Sequence, residues 1–219
     1  MAYLRQREAL ISAARSMARL GINQGTSGNL SLRADDAMLI TPSAIPYDDM
    51  TPEMVALMRL EGEYGAWEGP RRPSSEWRFH LDIFRARPEI GGIVHTHAPY
   101  ATALAMARRD IPPCHYMITR FGGGDVRCAP YALFGSAELS KAVLTALEGR
   151  SACLLANHGS IATGKDLDTA MAAAVELETL AKQYIVSLSA GGPVLLDDAQ
   201  IEAALHQFAT AYGPNTGTA

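Results

Sequence analysis

The 219 residues carry a net charge of −4, with 48% hydrophobic and 19% charged positions, the balance of a soluble chain able to bury a core. No basic stretch offers a nucleic-acid footprint and no apolar run reaches the length of a membrane span, so neither partner is expected. Cys114, Cys128 and Cys153 are odd in number and form no C-x-x-C pair. The charged start Met-Ala-Tyr-Leu-Arg-Gln-Arg-Glu also lacks a signal peptide's apolar centre, so a reducing, cytoplasmic location is expected.

No repeat or linker-like block divides residues 1–219, which read as one domain. Leu4, Ile11, Ala14 and Ala18 recur at helical spacing, and Gly21 closes that first helix. Strand-like runs follow at Asn29–Arg33 and Met38–Thr41, joined by a hairpin turn at Ala34-Asp35-Asp36. Ser74-Ser75-Glu76 starts a helix in which a serine accepts orphan N–H bonds, and the helix runs to about Arg87 before Pro88. Gly91–Ala98 reads as a buried strand and Pro99–Ala107 as a helix. Ser136 caps a helix ending at Gly149, and Ala152–Asn157 is an apolar strand stopping at His158-Gly159. A long helix spans about Leu167–Ala190 before Gly191-Gly192-Pro193, a last short helix begins near Asp197, and the Gly/Pro/Asn/Thr tail from Tyr212 is expected to be mobile. Irregular alternation with an early hairpin predicts an α/β fold: a largely antiparallel sheet with helices packed against it.

His95-Thr96-His97 is the sharpest local feature. Alternate strand residues share a face, so the two imidazoles are neighbours by geometry, half of a metal site or one buried and one exposed histidine. His158 stands at a strand end before a glycine, where the backbone can turn sharply; alone it proves little, since a turn histidine is more often merely exposed. Three histidines would leave a fourth zinc position open, as catalytic zinc requires. Glu76 is the available carboxylate, although a first-turn helix acid has the same local pattern. His80, one turn later, reads as a supporting or packing residue. Tyr116, after His115 and before Gly122-Gly123-Gly124, offers a proton donor or else an interface or core tyrosine, and His206 reads as a surface histidine.

Six ordered segments together resemble the class II aldolase/adducin family, and within it the bacterial L-fuculose-1-phosphate aldolase branch. They are residues 23–31 (Asn-Gln-Gly-Thr-Ser-Gly-Asn-Leu-Ser), 40–47 (Ile-Thr-Pro-Ser-Ala-Ile-Pro-Tyr), 73–80 (Pro-Ser-Ser-Glu-Trp-Arg-Phe-His), His95-Thr96-His97-Ala98, His115-Tyr116-Met117-Ile118 and Asn157-His158-Gly159. The resemblance spans about residue 5 to Tyr212. It implies a three-layer α/β/α sandwich and a homotetramer with active sites at subunit interfaces. By the same resemblance His95, His97 and His158 hold one Zn2+ per subunit, another divalent metal remaining open, and Glu76 both approaches the metal and acts as base. Gly28, Asn29, Ser43, Ala44, Ser74 and Ser75 match the phosphate pocket, with Thr26 nearby. Tyr116 matches a tyrosine that reaches a neighbour's site, and Tyr212 one in the tail.

The implied reaction is zinc-dependent retro-aldol cleavage of a phosphorylated ketose, an L-fuculose 1-phosphate-like ketose 1-phosphate, to dihydroxyacetone phosphate and a small aldehyde. Lys141, Lys165 and Lys182, the only lysines, fall outside every matched segment, in keeping with metal in place of a Schiff base. The tail after Tyr212 lacks charged residues, and Phe121 after Arg120 is expected to add bulk favouring an apolar aldehyde. A 5-deoxyribulose or methylthioribulose 1-phosphate aldolase is therefore the alternative. Epimerases of the family resemble a pattern with an acid at the position of Met117, and sugar-acid phosphate decarboxylases share the zinc site. A non-enzymatic adducin-like head would lack the full ligand set present here.

Overall fold

Seven strands form one sheet in the computed structural model, which describes residues 1–211; Tyr212 lies outside them. The strands are β1 (Asn29–Ala34), β2 (Ala37–Ile40), β3 (Ala56–Arg59), β4 (Gly92–Thr96), β5 (Cys128–Ala129), β6 (Ala152–Leu155) and β7 (Gly159–Gly164). Their order across the sheet is β3-β2-β1-β4-β7-β6-β5. Every pairing is antiparallel except β5 with β6, so the sheet is mixed, with antiparallel pairing dominant as expected.

The helices are α1 (Leu4–Arg19), α2 (Trp77–Ala86), α3 (Pro99–Met106), α4 (Ala137–Ala146), α5 (Leu167–Ser189) and α6 (Asp198–Ala211). The sheet is apolar on both faces because alternate strand residues feed two separate cores. Leu30, Leu32, Leu39, Val94, Leu154 and Ala162 pack with α1, α3 and α5. Met38, Ile40, Ile93, Cys153, Leu155 and Ile161 pack with Phe79, Leu81, Ile83 and Phe84 of α2 and Leu139 and Val143 of α4. Each such large side chain contributes roughly 1.5–3 kcal/mol by leaving water. The result is the expected three-layer α/β/α sandwich.

Parity along the central strands then decides where the polar residues go. Asn29 and Ser31 alternate with Leu30 and Leu32, and His95 shares a face with Ile93, so all three point to the α2 side. Register brings Asn29 opposite His95 across β1–β4, and Thr96 opposite Ser160 across β4–β7.

Boundaries differ from the sequence reading in ways that have causes. Helix α2 begins at Trp77, one residue after Glu76, and Ser74 supports its start: its hydroxyl accepts from Glu76 N at 3.3 Å and its carbonyl from Trp77 N at 3.0 Å. Strand β7 extends through Gly-Ser-Ile-Ala-Thr-Gly, small and polar residues with no alternating pattern to betray a strand. Its role is positional, between β4 and β6. The final helix is 14 residues long, not short.

Candidate metal centre

Three short loops and one strand end build the site. β4 carries His95, and His97 follows just beyond it. The β6–β7 hairpin carries His158 between Leu155 and Gly159, which pair across the turn. Asn157 takes the left-handed conformation there (φ 55°), which its short side chain tolerates, and turns the chain so that His158 faces the two other histidines. Glu76 precedes α2 and is buried beneath them.

His95 Nε2 lies 3.1 Å from His97 Nε2 and 3.1 Å from Glu76 Oε2, and His158 Nε2 lies 3.1 Å from Glu76 Oε1. The ligand atoms of the three histidines all fall within 4.8 Å of one another. His95 Nδ1 donates to the Ser160 carbonyl at 2.9 Å, and a carbonyl can only accept, so the neutral ring presents a lone pair at Nε2. A buried carboxylate therefore faces the His95 lone pair, and Glu76 Oε1 has no aligned hydrogen-bond donor among the described residues. Such a meeting of acceptors is repulsive unless a cation sits between them. Zinc–nitrogen bonds of 2.0–2.1 Å in a tetrahedron put ligand atoms about 3.3 Å apart, close to the spacing seen. The donor set fits a divalent ion.

Electrostatics agree. Burial pushes the His97 imidazole down to about 4, so it is neutral and free to ligate at neutral pH. Burial by itself would raise the Glu76 carboxyl, and positive charge on the His95 and His158 side outweighs it, holding the group below the usual carboxylate range; with neutral imidazoles that charge is left for a bound cation to supply.

A cleft of about 420 Å³ opens over these residues. Its walls include Thr26, Ser43, Ala44, Ser75, Glu76, His97 and His158 from the sequence-predicted set. Ser43 is held beside Ser75 because Pro42 bridges Pro73 and Ser43 N donates to the Arg72 carbonyl. Hydroxyls next to the start of α2 make an anion cradle without a cationic side chain. Gly28, Asn29 and Ser74 are buried behind the cleft wall. Asn29 Nδ2 donates to Glu76 at 2.9 Å. Tyr116 does not line this cleft; it is half exposed and stacks on Phe208.

His80 is fully buried and bonded to Asn29 and Ser31, the supporting position expected for it, and His206 is exposed. Phe121 corrects the sequence reading: it is completely buried in the core shared with α1, α3 and α5, and so does not shape the cleft. Its ring turns inward because Gly122 (φ 94°) ends the short 3-10 segment and Ser151 N ties to the Phe121 carbonyl.

Several contributors went unread in the sequence. Asn23 accepts from His97 N with its Oδ1 and donates to the Tyr47 hydroxyl, which donates in turn to the Gly28 carbonyl at 2.6 Å. Burial raises the Tyr47 phenol to about 12, keeping it a donor. Glu178 accepts from Tyr100 N and Ala101 N, anchoring α3 directly after the histidine strand. Tyr131 and Phe134 rim the cleft. Asn23 and Tyr47 lay inside matched segments without a role being read for them, and the aromatic pair had a local signal in the Pro/Gly-bounded loop Pro-Tyr-Ala-Leu-Phe-Gly at 130–135.

The pattern described as the Class II Aldolase and Adducin N-terminal domain matches residues 8–185. The chain belongs to that family. A 5-methylthioribulose-1-phosphate/5-deoxyribulose-1-phosphate aldolase of Rhodospirillum rubrum is 52% identical over 209 residues, 95% of this chain and 93% of the relative. An L-fuculose phosphate aldolase of Escherichia coli strain K12 is 44% identical over 205 residues, covering 93% of this chain and 94% of the relative. Among solved structures, an L-fuculose 1-phosphate aldolase superposes with a TM-score of 0.90 at 38% identity, over 95% of this chain and 98% of that one. The chain is thus a class II aldolase, a lyase of a metal-dependent family, with relatives that act on phosphorylated sugars. No described helix is long and apolar enough to cross a membrane.

Proposed function

We propose that the chain is a cytoplasmic, zinc-dependent aldolase that cleaves a ketose 1-phosphate to dihydroxyacetone phosphate and a small aldehyde. The observation that carries this reading is the convergence of three imidazole nitrogens and the Glu76 carboxylate at the floor of a hydroxyl-lined cleft. Neutral imidazoles with one carboxylate suit zinc, although other first-row ions accept the same donors. One ion per subunit held by His95, His97, His158 and Glu76 would act as a Lewis acid toward the substrate's carbonyl oxygen.

The chain's own groups supply the rest. Thr26, Ser43 and Ser75 bind the phosphate with the backbone around Gly28, Asn29, Ala44 and Ser74. In the synthetic direction Glu76 takes the proton beside the carbonyl of dihydroxyacetone phosphate. Tyr116 gives a proton to the aldehyde oxygen as the carbon–carbon bond forms, and in cleavage takes it back. Tyr116 stands exposed and away from its own chain's cleft, which supports a homotetramer in which it serves a neighbouring subunit's site. Residues 1–219 act as one domain, and Tyr212 helps close the site.

For the aldehyde end, the L-fuculose 1-phosphate reading rests on the matched segments. The 52% identity to the R. rubrum relative, with Tyr131, Ala132 and Phe134 on the cleft wall, favours a 5-deoxy or 5-methylthio ketose. The test follows dihydroxyacetone phosphate release from L-fuculose 1-phosphate, 5-deoxyribulose 1-phosphate and 5-methylthioribulose 1-phosphate by zinc-loaded protein. The ratio of kcat/KM values decides between the two. No release from any of them, with zinc bound, overturns the aldolase reading for these ketoses.

A further inference from the structure

A buried chain of hydrogen bonds leads from Glu76 away from the cleft, through the sheet's α2 face. Asn29 Nδ2 meets Glu76 Oε2 at 2.9 Å, Asn29 Oδ1 meets His80 Nε2 at 2.6 Å, and His80 Nδ1 meets Ser31 Oγ at 2.7 Å. Asn29, Ser31, Glu76 and His80 are each at most 5% exposed, so water does not compete for these bonds.

The direction of every bond follows from chemistry alone. An ionised carboxylate only accepts, so the Asn29 atom facing Glu76 is the amide nitrogen and the atom facing His80 is the amide oxygen. An amide oxygen only accepts, so His80 carries its proton on Nε2. A neutral imidazole with that tautomer accepts at Nδ1, so Ser31 donates its hydroxyl proton there. Burial favours the neutral ring, pushing it down to about 3. The chain therefore runs one way, from the Ser31 hydroxyl to His80, to Asn29, to Glu76.

An asparagine amide beside a carboxylate has two orientations of nearly equal shape, one attractive and one repulsive, and the carboxylate alone sees only one of them. We propose that His80 is a positioning residue for the aldol reaction: its Nε2–H locks the Asn29 amide with its nitrogen toward Glu76, and Ser31 locks the tautomer that makes this possible. The lock holds the Glu76 carboxylate in one rotamer, poised between the imidazoles and the reacting carbon. His80 touches neither substrate nor the ligand set, and its stacking on Phe79 at 4.6 Å fixes the ring plane. The inference rests on the proposed role of Glu76 as the base.

The test compares His80→Phe, which fills the space without a donor, with His80→Gln, whose amide nitrogen reaches about as far as Nε2. Ser31→Ala is added in the native and His80→Gln backgrounds. Each protein is measured for zinc content, for dihydroxyacetone phosphate affinity by calorimetry, and for retro-aldol kcat and KM on the substrate that the unsubstituted protein prefers. The expected result is a fall in kcat of roughly 10- to 100-fold for His80→Phe with zinc content and phosphate-ester affinity kept, and recovery to within a few-fold for His80→Gln. Ser31→Ala should lower kcat by several-fold in the native background and leave His80→Gln unchanged, since glutamine has no tautomer to set.

Equal losses in His80→Phe and His80→Gln, or no loss in either, overturn the positioning role. If His80→Phe does not fold, the Ser31→Ala comparison decides: equal effects in both backgrounds overturn the proposal. Failure of the function reading looks different, because the unsubstituted zinc-loaded protein is then itself inactive on every ketose phosphate, and the proposal falls with it.

Discussion

Replacing Gly159 with alanine should cost this protein its metal before it costs the fold. Gly159 opens β7 directly after His158, and a Cβ there would stand 2.5 Å from the Thr96 carbonyl oxygen, 2.9 Å from His97 Cδ2 and 3.3 Å from His95 Cε1. Carbon–oxygen contacts settle at about 3.3 Å or more, so β4 and β7 must part by roughly 0.8 Å at this point. Neither can yield freely, because Thr96 pairs with Ser160, whose carbonyl holds His95 Nδ1 at 2.9 Å. Binding constellations tolerate displacements of about 0.5 Å, so the three nitrogens no longer converge.

The expected stability loss is roughly 1–3 kcal/mol, the usual range for overpacking, or a fall in Tm of about 2–12 °C for a chain of this size. Zinc affinity should fall by about 10- to 100-fold. Competition against a chromophoric chelator reads the affinity, and calorimetry of metal-free protein reads the Tm. Gly124→Ala is the control, since its Cβ would meet nothing closer than 3.6 Å. Native zinc affinity and an unshifted Tm in Gly159→Ala would refute the claim that the missing Cβ is what lets the imidazoles close.

Glu76→Gln should keep its zinc on three imidazoles while losing about 10²–10⁴ in kcat, the range for removal of a general base. If sites are shared between subunits, reassembling Glu76→Gln with Tyr116→Phe should restore activity above either parent; mixtures no better than their average would rule sharing out. Metal-free protein should lose stability as the pH falls below about 6.5. His80 is neutral in the folded state with its pKa at about 3, whereas the unfolded ring titrates near 6.5, so between those values the unfolded chain binds the extra proton. A urea midpoint unchanged between pH 7.5 and 5 would contradict this. Ala44 sits in the left-handed region (φ 57°), which costs an L-residue about 1–2 kcal/mol, so Ala44→Gly should raise Tm by a few degrees after glycine's extra unfolded-state entropy is subtracted. A lower Tm would show that the Ala44 methyl is held by contacts worth more than the strain.

The parts of this molecule legible in the sequence are those governed by local periodicity. Helix α1 and the long α5 follow from apolar spacing and glycine stops, and the β1–β2 hairpin from the Asp35-Asp36 turn. β5 escaped because a two-residue strand carries too little pattern, and β7 because its mostly small residues show none. Phe121 was misread as a loop residue near the substrate because an aromatic before three glycines looks exposed, and only the inward turn of that segment buries it.

The same division runs through the site. The period of two along a strand placed His95 and His97 together without any tertiary information, and the ordered segments were enough to recognise the family. Everything that joins them was decided by the fold. Glu76 meets His95 across 19 residues of chain and His158 across 82, and Asn29 meets Glu76 across 47. The Ser31–His80–Asn29 chain and the close approach at Gly159 exist only because β1, β4 and β7 lie side by side with α2 above them. Local sequence sets which way a side chain points along its own element; strand register sets what it meets, and register is a property of the whole sheet.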